Sequence, residues 1–283
     1  VKLRKVRAAA EREWPASVDK AVEPSLSIVE VRGVEKTFER RTGSTQALLP
    51  VNLSVGNGEF VSLVGRSGCG KTTLLRIIAG LTAADRGEVL FGGAVVRGVS
   101  DRMAYVFQDV NLLPWRSVVR NVELGLEARG LGRQDRRERA LAALRLVGLE
   151  DDADRPPYTL SGGMQQRVGV ARALATEPQV LLMDEPFSHL DNFTREALQG
   201  QVSHLCEELH MTVIFVTHDI DEAIYLSDRI ALFRGQPGQL VDVIQVPIER
   251  PRSQERYRAE PGAVECRERV LRELGVIRER AGT

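Results

Sequence analysis

The chain has 283 residues, and its 39 Lys plus Arg are balanced by 39 Asp plus Glu, so its formal net charge is zero. That length holds one large domain or two modest ones with a substantial core, and the charge balance gives no general pull toward nucleic acid or an anionic lipid surface. Three cysteines, Cys69, Cys206 and Cys266, stand far apart without metal-ligand spacing, which argues against a disulfide framework and suits a reducing compartment.

Residues 1–25 mix charge and alanine before a Pro-containing break and are expected to form a tail outside the core. The stretch "VKLRKVRAAAEREWP" has a basic start without an apolar segment, so no secretory leader is expected. From Leu26 the pattern changes to short alternating runs, "LSIVEVRGV", "VNLSV" and "GEVLFGG", which predict antiparallel strands. "EFVSLVG" predicts a strand running straight into a glycine loop, and "KTTLLRIIAGL" a helix with Leu74, Leu75, Ile78 and Leu81 on one face. A polar middle section follows, in which "RRERALAALRLVGL" predicts a helix with a Leu141, Leu144, Val147 stripe ended by Gly148. "QVLLMDEP" and "MTVIFVTHD" are near-continuous apolar runs ending in polar residues, the pattern of parallel strands covered on both faces whose C-terminal ends carry ligands. "RIALF" and "LVDVIQV", separated by "RGQPGQ", predict a closing hairpin. In "ECRERVLRELGVI", Val270, Leu274 and Ile277 predict a helix face packed on its own domain. Every apolar run is far shorter than the ~18 residues of a membrane span.

The chemistry concentrates at the strand ends. "GRSGCGKTT" follows a predicted strand and opens a predicted helix. Its Gly65, Arg66, Ser67, Gly68, Cys69, Gly70 backbone is expected to turn successive N–H groups toward phosphate oxygens. Lys71 would then charge-pair with the β- and γ-phosphates, Thr72 offer its hydroxyl to Mg²⁺, and Thr73 lie close to the α-phosphate. Cys69 is expected to serve as a small residue in that loop. If the strand ending "LLMDEP" neighbours the loop strand, Asp184 helps hold hydrated Mg²⁺ and Glu185 polarises the attacking water. His218, at the equivalent end of "VIFVTH", is expected at the γ-phosphate. Gln108, after "MAYVF", is a further polar residue placed to sense the metal or the water.

A second anion site is written about 95 residues downstream in "LSGGMQQRVGVARAL". Ser161 is a good helix N-cap, Gly162 and Gly163 permit close backbone approach, and the helix dipole points at an anion.

The phosphate loop, Gln108, "LSGGMQQR", "LLMDE", "SHLD" and His218 stand in an order that resembles the nucleotide-binding subunit of ABC transporters. The resemblance runs from Leu26 to about Val246 and implies an α/β fold: a P-loop ABC ATPase core with a parallel sheet, an antiparallel β subdomain and a helical subdomain at about residues 108–165. Residues 247–283 then form a C-terminal helical extension. It also implies that ATP and Mg²⁺ are the cofactors, that Phe38 in "VEKTFERR" stacks on adenine, and that Ser161, Gly162 and Gly163 meet the γ-phosphate of a second copy. Two ATP molecules would be trapped in a head-to-tail dimer with Asp191 near the seam. Met164 and His189 depart from the family's usual residues.

"DRMAYVFQDVNLLPWRSVVRNVELGL" and "HDIDEAIYLSDRI" are similar to ATPases of nitrate, taurine, aliphatic sulfonate and bicarbonate importers. Such systems imply two permease subunits, an extracytoplasmic solute-binding protein and a peripheral place on the cytoplasmic face of the membrane. Leu112, Leu113 and Trp115 are the expected apolar contact for a permease helix. The alternatives are an exporter ATPase, or a soluble relative acting on ribosomes or nucleic acid. The repair type would carry a long coiled-coil insert between loop and signature, for which there is no heptad tract.

Overall fold

The computed structural model describes residues 27–40 and 43–277. The expected N-terminal tail with its boundary at Leu26, and residues 278–283 of the expected extension, lie outside the described residues.

Two sheets enclose one helix. The first contains β1 (Ser27–Arg40), β2 (Gly43–Gly56), β4 (Arg86–Phe91) and β5 (Ala94–Val95) in the order β2-β1-β4-β5, with antiparallel pairing throughout. The second contains β3 (Phe60–Gly65), β6 (Met103–Val106), β7 (Val180–Asp184), β8 (Thr212–Thr217), β9 (Arg229–Arg234) and β10 (Gln239–Gln245), ordered β10-β9-β3-β8-β7-β6. It is parallel except at the β9–β10 hairpin.

The period-two alternation of side chains divides the buried strands between two cores. Val61, Leu63, Val180, Leu182, Ile214 and Val216 face one way, toward α1 (Lys71–Ile78) and the antiparallel sheet. Phe60, Val64, Leu181, Met183, Val213 and Phe215 face the other way, toward the remaining helices. These are α2 (Val118–Val122), α3 (Leu124–Ala128), α4 (Arg133–Leu146), α5 (Gly162–Leu174), α6 (Asn192–Glu208) and α7 (Ile220–Leu226). The α4 helix, 14 residues long, is the longest between phosphate loop and signature among the described residues, which leaves no room for a coiled-coil insert.

Two predicted faces are shorter in the structure. The α1 helix stops at Ile78 because Gly80 turns left-handed after the Ala79 cap, so Leu81 lies beyond it and is exposed. The last helix, α8 (Pro261–Glu273), buries Ala263, Cys266 and Val270 against the second core, but Leu274 caps it and Ile277 lies outside it. Residues 247–260 run between β10 and α8. Within them Arg252 is buried and donates to the carbonyls of Ile224, Tyr225, Ser227 and Ile248. Its guanidinium thus satisfies the exposed C-terminal carbonyls of α7.

Candidate functional site

The phosphate loop leaves β3 at Gly65 and ends at Gly70, whose φ of 87° places it at the N-cap of α1. A Cβ there would strike the Leu48 side chain and the Ala47 carbonyl, so the conformation and the space both demand glycine. The Lys71 ammonium is buried and donates to Gly65 O at 2.7 Å and Arg66 O at 3.1 Å. Among the described residues it forms no ion pair, so a cation with only neutral partners stands inside a ring of backbone dipoles.

The turn between β9 and β10 buttresses the loop from outside: Gln236 Nε2 donates to Ser67 O at 3.4 Å, and Gly238 lies hard against the Cys69 carbonyl. Cys69 is buried, and burial pushes its thiol above the ordinary value while the Lys71 ammonium pulls the other way. Cys206 and Cys266 are buried too, with thiols raised by the same cause. Since the thiolate is the reactive form, a maleimide at pH 7.5 is expected to leave the folded chain unlabelled over minutes and to label all three cysteines in urea. Mass spectrometry of the intact protein measures both. Rapid labelling of Cys69 in the folded chain would contradict its burial.

The acidic strand does not neighbour the loop strand, which was the condition under which the sequence placed Asp184 and Glu185 beside the phosphates. Strand β8 lies between β3 and β7, because the apolar runs specify that strands are buried but not which strands pair. The groups meet nonetheless, since α1 carries Thr72 across: its Oγ1 donates to Asp184 Oδ1 at 2.8 Å. On the other carboxylate oxygen, the Tyr105 hydroxyl donates at 2.9 Å. Burial and the neighbouring carboxylate hold that phenol far above its ordinary pKa, so it stays a donor.

Glu185 follows with a φ of 44°. That left-handed conformation costs on the order of 1 kcal/mol in a residue with a side chain, and is held by the bond from its N–H to Val216 O at 3.0 Å. Its carboxylate lies 3.2 Å from His218 Nδ1. Ser188 Oγ donates to Glu185 O at 3.0 Å and accepts from Gln108 Nε2 at 3.3 Å. Gln108, Glu185 and His218 are thereby joined in one line along the ends of β6, β7 and β8. Tyr105 and Ser188 escaped sequence reading. The signal for Tyr105 is the register that sets Val106 opposite Met183, which neither strand reveals by itself.

Ser161 caps α5, accepting from Met164 N at 3.3 Å. The two signature glycines differ: a Cβ on Gly163 would run into the Thr194 methyl, whereas one on Gly162 meets nothing within 4 Å. Thr194 belongs to α6, whose N-cap Asp191 accepts from Thr194 N at 3.0 Å. The Thr194 hydroxyl and amide keep the Asp191 carboxyl below the usual range. Among the described residues, no hydrogen bond or ion pair joins Ser161, Gly162 or Gly163 to the loop from Gly65 to Thr73. Phe38 is half exposed with the Lys36 ammonium 5.4 Å from its ring centre. His189 lies 3.7 Å from Asp109, and Met164 packs on the core. Trp115 is 77% exposed, while Leu112 packs on the core.

A glycine loop with a buried lysine, a hydroxyl–carboxylate pair and a Glu–His pair on the ends of a parallel sheet define a P-loop nucleotide hydrolase. The ABC transporter profile matches residues 48–188. An aliphatic sulfonates import ATP-binding protein of Xanthomonas axonopodis pv. citri is 47% identical over 223 residues, covering 78% of this chain and 88% of that one. A bicarbonate transport ATP-binding protein of Synechococcus elongatus is 44% identical over 228 residues, 79% of this chain and 34% of that longer one. Among solved structures, a dimeric ATP-binding cassette in a post-hydrolysis state with ADP and Pi superposes with a TM-score of 0.68 at 36% identity, over 77% of this chain and 98% of that one. The chain belongs to the ABC transporter family. It is an ATP-binding subunit, an ATPase coupled to transport.

Proposed function

We propose that this chain hydrolyses ATP between two copies of itself and so powers import of a small, anionic nutrient of the sulfonate or bicarbonate kind through a separate permease dimer. The observation that carries the hydrolytic half is the convergence of Thr72, Asp184, Glu185, Gln108 and His218 on one edge of the parallel sheet. Lys71, lacking an anionic partner, takes the β- and γ-phosphates, and the 65–73 backbone cradles them, with Thr73 beside the α-phosphate. Phe38 stacks on the adenine. Glu185 accepts the proton of the attacking water while His218, held against it, contacts the γ-phosphate.

The Thr72 hydroxyl and the Asp184 carboxylate are hard oxygen donors already in contact, which fits Mg²⁺. They would hold it together with phosphate oxygens and water, with Gln108 as a further contact. Once bound, the ion neutralises charge on the phosphates. Among the described residues no three His, Cys, Asp or Glu side chains converge on a metal position, as befits an ion held largely by its nucleotide.

The dimer is supported by the open space over Gly162 beside the Ser161 cap and the Asp191 turn, and by the dimeric form of the similar cassette. Import of an anion is supported by the names of the two relatives. None of the described helices is long and apolar enough to cross a membrane, and separate permease chains are taken to supply the path. A solute-binding protein delivers the nutrient outside, and this subunit docks on the inner face through the exposed Trp115. Tagged chain drawn from gently solubilised membranes of its own cell is expected to bring a polytopic permease in near-equal amount, identified by mass spectrometry. Ribosomes or DNA-bound proteins without a permease would overturn the transport assignment.

A further inference from the structure

Beside the Glu185–His218 pair lies a cavity of about 50 Å³, lined also by Ser188, Arg195, Thr217, Asp219 and Glu222. Glu222 is buried and takes no part in the scheme above. We propose that Glu222 is a positioning residue of the ATPase site, held in place from the C-terminal segment through Gln199 and Gln254. The inference rests on the reading of that site as the hydrolytic centre.

Three buried or half-buried side chains form a hydrogen-bonded line in one direction. Gln254 Nε2 donates to Gln199 Oε1 at 3.1 Å, and Gln199 Nε2 donates to Glu222 Oε1 at 2.8 Å. Gln254 Nε2 also donates to Glu196 O; a flipped amide would set its oxygen against two acceptors, so the amide is committed to this orientation even though its Oε1 has no partner among the described residues. At the far end, Thr217 lines the same cavity as Glu222 and immediately precedes His218. The same C-terminal segment holds the rest of α7: Tyr257 OH donates to Asp221 O at 3.2 Å, Arg267 pairs with Asp221, and Arg252 caps the helix end. The residue that lines the cavity beside His218 is therefore anchored by the C-terminal segment, which lies outside the phosphate loop and the strand ends.

The charge on Glu222 matters to what it faces. Asp219 from its own helix, Arg195 from α6, and Glu185 and His218 across the cavity surround it. Burial pushes its carboxyl up to about 7, with Asp219 adding to the rise and Thr217, Gln199 and Arg195 opposing it. Below that value it is neutral. Above it, a second negative charge faces Glu185 and the phosphate that Glu185 serves, and like charges on one cavity repel.

ATP hydrolysis by the purified full chain, measured from about pH 6 to about pH 9, tests this. Glu222→Ala is expected to lower kcat about tenfold with KM for ATP within about twofold. Glu222→Gln should restore most of the rate and lose the decline above about pH 7 that is expected of the unaltered chain. Gln254→Leu, remote from the nucleotide, should lower kcat about threefold without a change in KM. A folded Glu222→Ala with full kcat, or Glu222→Gln with the unaltered pH profile, overturns the proposal. If Glu222→Ala does not fold, the Gln variant's profile and Gln254→Leu decide. Glu185→Gln assayed in parallel separates the two failures: full activity there sinks the reading of the site, and its inactivity beside unaffected Glu222 variants sinks only this inference.

Discussion

Glu185→Gln is expected to lower kcat by about 10²–10⁴-fold, the usual contribution of a positioned general base, and to leave ATP binding intact. The substitution keeps the size of the side chain and removes only its capacity to take a proton. Lys71, Thr72 and the loop backbone are untouched, so the nucleotide enters as before. With hydrolysis blocked, the closed dimer should accumulate, and sedimentation with MgATP should show a dimer that is absent without nucleotide. Adding Ser161→Arg should abolish it. The cap on α5 is lost at a cost of about 1 kcal/mol, which the fold can bear, but a long cation then fills the space that Ser161 and Gly162 leave for a partner's phosphate. An ATP-dependent dimer of normal affinity in the double variant would refute the sandwich.

The second large effect belongs to Lys71. Its ammonium lies among carbonyls with no counter-anion among the described residues, an arrangement that becomes favourable when a phosphate completes it. Removing one partner of a buried charge pair costs about 2–5 kcal/mol, so Lys71→Ala should weaken ATP at least about 30-fold at 1.4 kcal/mol per decade. Titration calorimetry measures it. The unliganded variant should not lose comparable stability, because a buried cation among neutral partners contributes little to the fold that apolar packing cannot replace. A large fall in Tm beside normal ATP affinity in the remaining folded protein would place Lys71 in the scaffold instead.

Much of this site was legible from residue types at strand ends. The phosphate loop, Asp184, Glu185 and His218 each follow an apolar run of strand length, and a buried strand that stops at a charged group exposes that group on the sheet edge. The helical stripe of Leu141, Leu144 and Val147 likewise corresponds to a helix packed on the core. Pairing was not legible. Three of the central strands, β3, β7 and β8, are buried at every position and mostly apolar, so little in their sequences distinguishes a neighbour of β3 from a second neighbour. Helix ends were overrun at Leu81 and Ile277, since periodicity continues past the residue where hydrogen bonding stops. Tyr105, Ser188, Gln199, Gln254 and Arg252 went unnoticed for a common reason. Their partners lie on other elements, and a polar residue without local spacing looks like ordinary surface until tertiary structure buries it.

The central place of β8 also bears on how an unfinished chain behaves. Thr72 and Asp184 are separated by 112 positions in sequence, and the strand that bridges their two elements, β8, with His218 just after it, is made later still. A nascent chain therefore displays its phosphate loop long before Asp184, Glu185 and His218 are in register with it, and parallel pairing offers no local shortcut to them. The contact between Thr72 and Asp184 needs β8 in place between β3 and β7. The order of strands thus makes the site a late product of the chain: its parts come into register only after most of the sequence has been made.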